Sequence, residues 1–162
     1  MALEIDVLLE SPAWEQWPEA QAVVHGAVVA AVRHCRKRYR AGSEVCVMLC
    51  DDATIKDLNR AWRGKDQATN VLSFPAAAMP GQPRHLGDIA IAFETLKKEA
   101  ESEEKALADH CTHLVVHGFL HLLGYDHETP VEAEIMEAQE RAILAGLGIA
   151  DPYLAGELVH PS

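Results

Sequence analysis

The sequence of 162 residues has no apolar run long enough to cross a membrane and no basic, apolar leader at its start. A transmembrane helix needs about 20 consecutive apolar residues. A signal peptide begins with basic residues, whereas this chain begins with the acids Glu4 and Asp6. Cysteine is also scarce, because the four cysteines have neither CxxC spacing nor the density of a secreted disulfide scaffold. These absences predict a cytoplasmic protein with reduced thiols and no membrane partner.

Basic residues are also few compared with acidic residues. The net charge is −11, which argues against nucleic-acid binding because phosphate is bound by Lys and Arg. The acidity is uneven: residues 1–65 hold nine basic and nine acidic residues, and residues 66–162 hold five and sixteen. A basic run near the end of the first predicted helix is interpreted either as a phosphate-binding patch or as a solvated helix end that complements the helix dipole. The run consists of Arg33, Arg36, Lys37, Arg38 and Arg40.

Apolar periodicity predicts a single domain over residues 1–162, of the α/β (α+β) class, with a mixed four-stranded sheet and five or six helices in the order βαβαββααα. The second strand, from Glu44 to Cys50, is apolar on both faces and is predicted to be interior. The first helix is predicted to run to about Tyr39, and the second to turn Ile55, Leu58 and Trp62 inward. Residues 75–86, with three prolines, are predicted to form a surface lid or a passive connection.

Three histidines and two glycines fall within residues 117–127, the segment with the clearest chemistry. The preceding run from about Glu103 to Leu123 is predicted to be helical, so His117 and His121 lie about 40° apart on one face. Gly124 is predicted to end the helix and return His127 towards the pair. Three imidazoles with a fourth position left for water are typical of catalytic zinc.

The spacing H-x3-H-x2-G-x2-H is also that of the metzincin proteases, which carry Glu directly after the first histidine. Here that residue is Gly118, so the general base of peptide hydrolysis is missing. The zincin-like spacing without its acid favours another hydrolytic reaction on a similar metal frame.

The segment 117–127 resembles the signature of the YbeY family, bacterial metal-dependent endoribonucleases of ribosomal RNA maturation. The resemblance extends over most of the chain and rests on further motifs in the family's order. These are Leu58-Asn59, residues 62–66, residues 69–75, residues 86–89 and Asp151-Pro152-Tyr153.

The resemblance implies a single-strand-acting endoribonuclease that matures the 3′ end of small-subunit (16S) ribosomal RNA, with the small subunit and assembly factors as possible partners. It implies that His117, His121 and His127 bind one zinc ion whose water attacks the phosphodiester, and that Arg63 binds the phosphate. Three imidazoles also suit nickel, copper or iron. Two alternatives stay open: a metallopeptidase that takes its base from elsewhere, and a ribosome-assembly binding factor with a structural metal.

Single residues around these motifs have competing interpretations. Arg63 is a phosphate ligand or a surface residue beside Gly64. His113, one turn before His117, is a core histidine, a substitute metal ligand or a group just below the metal. Asp126 is an acceptor for a ligand imidazole or a turn cap. Ser73 and Asn70 are weaker candidates that could equally satisfy strand ends, and Met136 is predicted to be core.

Overall fold

The four strands form one mixed sheet in the computed structural model, which describes residues 3–35, 39, 42–76 and 85–153. The sheet has the order β1-β2-β4-β3. β1, β2 and β4 are parallel, and β3 runs antiparallel to β4 at one edge. The strands are β1 (Glu4–Leu9), β2 (Glu44–Cys50), β3 (Val71–Pro75) and β4 (His85–Ala92).

Five α-helices complete the described part of the domain, together with one short 3₁₀ helix (Pro12–Gln16). The predicted α/β class, mixed four-stranded sheet and helix number are confirmed. The helices are α1 (Ala20–Cys35), α2 (Asp52–Arg63), α3 (Phe93–Ser102), α4 (Leu107–Leu122) and α5 (Pro130–Gly146). None of them combines the length and apolar character that crossing a bilayer requires.

The main core lies between one face of the sheet and the helices α1, α4 and α5. Alternate residues of β2, namely Val45, Val47 and Leu49, are fully buried on this side, so the prediction of an interior strand is confirmed. The other face holds a smaller cluster under α2, which includes Ile55 and Leu72. Because α4 is buried along almost its whole length, the helix that carries two of the histidines is anchored by the core.

The prediction that Trp62 points into the core is wrong, since its side chain is 72% exposed. Trp62 lies seven residues after the buried Ile55 and so shares its side of α2. It occupies the last turn of the helix, where it packs against the Phe74 ring of the edge strand β3. Helical phase alone did not show that the core ends before this turn.

Several predicted boundaries also differ from the structure. α4 begins at Leu107 instead of Glu103, because α3 ends at Ser102 and Glu104 adopts a left-handed turn with φ of 55°. The 3₁₀ helix was not predicted; it buries Trp14, whose indole donates to the Cys50 carbonyl at 2.7 Å. Tyr39, near which α1 was predicted to end, lies in a bend, and residues 36–38 before it and most of the predicted loop lie outside the described residues. The four cysteines are free thiols, as predicted.

Candidate active site

The three predicted metal ligands lie together at the C-terminal end of α4. His117 and His121 are one helical turn apart, and Gly124, with φ of 99°, turns the chain so that His127 faces them. The ring centroids are 4.6 Å apart for His117 and His121, 5.5 Å for His117 and His127, and 5.0 Å for His121 and His127. One nitrogen from each ring lies within 4.8 Å of the others, so the cluster could hold a single ion.

The spacing and electrostatics of the cluster fit a transition-metal ion. The Nε2 atoms of His117 and His121 are 3.1 Å apart. Two imidazoles bound tetrahedrally to zinc at 2.0–2.1 Å would have nitrogens about 3.3–3.4 Å apart. Burial, followed by the charges of His117 and His127, lowers the pKa of His121 to about 4. Its ring is therefore neutral near pH 7, the form that binds a metal.

Glu140 of α5 holds His117 in one orientation. Its carboxylate is fully buried, and its Oε1 lies 3.1 Å from Nδ1 of His117. An ionised carboxylate only accepts hydrogen bonds, so Nδ1 carries the proton and donates. This tautomer leaves the lone pair of His117 on Nε2, the atom that faces His121. A carboxylate behind a ligand histidine is a common arrangement at metal sites, and it fixes the ring and raises its basicity.

Two more groups donate to the same carboxylate. Nε2 of His113 lies 2.9 Å from Oε1, and the Tyr153 hydroxyl lies 2.9 and 3.0 Å from the two oxygens. Burial alone would raise the pKa of Glu140, but the hydrogen bonds from His113 and His117 outweigh it and lower this pKa to about 2. Burial also lowers the pKa of His113. Glu140 therefore stays ionised, and the His113 ring beside it is neutral.

Glu140 and Tyr153 were missed as functional candidates. The available signal was a single acid on the apolar face of α5, between the buried Met136 and Ile143. Asp126, the acceptor weighed instead, has its Oδ1 2.8 Å from the backbone nitrogen of His127 and caps the turn. His113 is a buried histidine, as the core interpretation predicted, and it shares its acceptor with His117.

Gly118 shows why an acid is absent after the first histidine. It is buried against the sheet, and a Cβ at this position would lie 3.0 Å from Cγ2 of Ile89 and 3.1 Å from Oγ of Ser73. A glutamate here would point into packed strands instead of the metal cluster. The missing protease base is thus a consequence of how closely α4 packs on β3 and β4.

Two of the imidazoles, those of His121 and His127, line a cleft of about 300 Å³ at the edge of the sheet. One wall holds Ser73 and Pro75 of β3 together with Arg63 at the end of α2. The opposite wall holds His121, His127 and Tyr125. The tertiary structure therefore brings the predicted phosphate ligand to the same cavity as two of the three predicted metal ligands.

Arg63 is an exposed cation at the end of its helix. Gly64, with φ of 70°, caps α2, and its N–H donates to the Arg60 carbonyl at 3.1 Å. Within the described part of the chain Arg63 forms no ion pair, whereas Arg60 lies 3.0 Å from Asp57 and 3.6 Å from Asp66. The guanidinium of Arg63 is therefore available to a ligand in the cleft.

The other sequence candidates have more ordinary surroundings. Ser73 lines the cleft and donates to the Gly118 carbonyl at 3.1 Å. Asn70 accepts from the Val71 amide and donates to Glu99, which satisfies the strand end. Arg33 is exposed in the last turn of α1 and is not part of the cleft wall. The rest of the basic run, namely Arg36, Lys37, Arg38 and Arg40, lies outside the described residues.

A second group of possible ligands, Glu99, Glu103 and His110, differs from the imidazole cluster. Its carboxylates already have partners: Glu99 accepts from Asn70 and lies 2.9 Å from Nε2 of His110, and Glu103 pairs with Lys105 at 2.9 Å. The ammonium of Lys105 beside this group also disfavours a cation.

The three facing imidazoles, set in a mixed α/β fold beside an open cleft, define a metal-dependent hydrolase.

Comparison with known proteins identifies the family. The family model described as Endoribonuclease YbeY matches residues 13–148. Proteins with that name are 50% identical in Bradyrhizobium sp. strain BTAi1, covering 91% of this chain and 90% of theirs, and 52% identical in Azorhizobium caulinodans, covering 93% and 96%. A third, from Rhodopseudomonas palustris strain BisA53, is 54% identical and covers 91% and 88%. The chain belongs to the endoribonuclease YbeY family, as its motifs predicted.

A solved structure supports the fold independently. A Thermotoga maritima protein whose solution structure is known aligns with a TM-score of 0.57 over 89% of this chain and 91% of that one. The two sequences are only 22% identical, so this likeness shows the shared fold alone.

Proposed function

We propose that this protein, acting as one domain, is a metal-dependent endoribonuclease that cleaves single-stranded RNA in the cleft between α2, β3 and α4. The observation that carries the proposal is that an unpaired arginine lines the same cavity as two of the three facing imidazoles. The relatives named above are endoribonucleases, which supports RNA as the substrate class.

Each side chain has a defined role in this proposal. His117, His121 and His127 hold the cation, and the carboxylate of Glu140 keeps His117 in the binding tautomer. A bound divalent metal supplies Lewis acidity and lowers the pKa of water. Arg63 grips the phosphate with its planar guanidinium and counters the charge that develops during cleavage. We propose zinc, for which three imidazoles are a common ligand set, with nickel as the principal alternative.

The substrate is proposed to be precursor ribosomal RNA, processed at the 3′ end of the small-subunit RNA, with the small subunit and assembly factors as partners. The family supports this assignment. The position of α1 supports it further. This helix runs back along the parallel strands β1 and β2 that it connects, so its last turn, with Arg33, lies at the end of the sheet where α4 also ends. The basic run of residues 33–40 would then extend RNA binding beyond the cleft.

The test is cleavage of a ribosomal RNA precursor by metal-loaded wild type, His121→Ala and Arg63→Ala. Arg60→Ala is the matched control, since Arg60 lies one turn earlier in the same helix and is already paired with acids. Metal content and circular dichroism are measured on each preparation. We expect both site variants to lose cleavage, metal to be lost only from His121→Ala, and Arg60→Ala to cleave like wild type.

Equal cleavage by all four proteins would overturn the proposal, because the activity would then come from a contaminant. RNA binding by a wild type that does not cleave, kept by a His121→Ala protein that still folds, would favour a binding factor with a structural metal. Chelator-sensitive cleavage of casein with no cleavage of RNA would favour a peptidase, against which the packing of Gly118 argues.

A further inference from the structure

Trp62 is the most exposed of the large apolar side chains in the described part of the chain, at 72%. An exposed indole in an otherwise polar helix end has no role in the core. We infer that Trp62, supported by Phe74, is a stacking surface for an unpaired RNA base next to the phosphate that Arg63 holds. This inference rests on the proposed endoribonuclease function and assigns a further substrate-binding residue to it.

The indole is supported from one side and open on the other. Its ring centroid lies 5.8 Å from that of Phe74, with the planes inclined at 58°. Phe74 is half-buried in the edge strand and packs against the smaller core cluster. A ring that is already braced loses less conformational freedom when a ligand stacks on it, which favours binding.

The aromatic pair adjoins the cleft. Trp62 directly precedes Arg63, and Phe74 lies on the same face of β3 as Leu72; both Arg63 and Leu72 line the cavity. A base on the indole would therefore belong to a nucleotide close to the phosphate bound by Arg63. Proteins that bind single strands combine the same two elements, an aromatic face for a base and a cation for the backbone.

The size of the surface argues for a base over a protein partner. The other exposed large apolar residues among those described lie on β1, on α5 or, for Leu147, directly after α5, and none lies on α2 or β3. The patch is therefore about one indole wide, whereas a specific protein interface usually buries at least about 1,000 Å². A flat heterocycle carried by a phosphate matches both the single ring and the neighbouring cation.

The first test is binding of a short, fluorescently labelled 2′-O-methyl RNA strand by anisotropy. We expect Trp62→Ala to bind about 5- to 150-fold more weakly, the range for loss of one stacked base. Trp62→Phe should keep most of the affinity, and Trp62→Leu should resemble Ala because it has no aromatic face. Leu9→Ala is the control, since Leu9 is also exposed but lies on the opposite edge strand.

Two further readouts separate stacking from charge. A single abasic site is moved along the strand: at one position it should weaken wild-type binding and leave Trp62→Ala unaffected. In a salt titration, Trp62→Ala should keep the wild-type slope of log affinity against log salt, whereas Arg63→Ala should reduce it by about 0.7.

The results distinguish a failure of the stacking inference from a failure of the proposed function on which it rests. If wild type neither binds nor cleaves single-stranded RNA, the proposed function fails. If wild type does both, and Trp62→Ala is folded and binds equally tightly, the stacking assignment fails alone. An abasic penalty that persists at every position in Trp62→Ala would also overturn it.

Discussion

Replacing Glu140 with Gln tests whether the carboxylate behind His117 controls metal affinity. Gln has nearly the same shape and still offers an oxygen to His117 and His113, so the buried site stays filled. It lacks the charge that favours a proton on Nδ1 of His117 and a lone pair on Nε2. Loss of such a partner behind a ligand histidine typically weakens metal binding about 10- to 100-fold, which is about 1.4–2.7 kcal/mol.

The choice of Gln over Ala follows from the surroundings. Glu140 accepts from two imidazoles and the Tyr153 hydroxyl in a site closed to solvent. Removing one partner of a buried charged network costs about 3–5 kcal/mol, a large share of the roughly 5–15 kcal/mol that stabilises a domain. An Ala variant would therefore mix a loss of metal affinity with a loss of fold.

The assay is competition for zinc between the refolded, metal-free protein and a coloured chelator at pH 7.5. Glu134→Gln is the matched control, because it makes the same charge change at an exposed position on the same helix. Chemical unfolding of the metal-free proteins shows that both variants are folded. Wild-type zinc affinity in a folded Glu140→Gln protein would refute the orienting role, and an equal loss in Glu134→Gln would assign the effect to net charge.

Two further predictions follow from the same site. The folded-state pKa values of His121 and His113 are lowered from 6.5, that of His121 to about 4, so the native state binds fewer protons than the unfolded chain. The metal-free protein should therefore lose stability as pH falls from about 6.5 to 4. The drop in the free energy of urea unfolding between pH 7 and pH 5 should be smaller for His121→Asn than for wild type, and an equal drop in the two proteins would contradict this. Gly118→Ala should destabilise the fold by about 1 kcal/mol, because overpacking against Ile89 exceeds the gain in helix propensity. Gly26→Ala, with open space around its Cβ, should stabilise the fold slightly, and thermal unfolding that ranked the two variants the other way would disprove the packing argument.

Local pattern was sufficient for the parts of this protein that depend on near neighbours in the chain. The spacing of His117 and His121 places them on one face of any helix, and Gly124 permits the turn that returns His127. Strand alternation likewise predicted β2, and its apolar character on both sides predicted an interior position. The motifs of this segment were specific enough to indicate the family.

Tertiary packing decided which groups surround the three histidines. Glu140 reaches His117 from a different helix, and Arg63 reaches the cleft from α2, because the core fixes how α2, α4 and α5 lie on the sheet. Helical periodicity places Trp62 on the same side of α2 as Ile55, yet only the position of the edge strand determines that the indole is exposed. The sequence by itself therefore determined that the three histidines come together, whereas the partners that orient them and the surface proposed to bind RNA depended on contacts between distant segments.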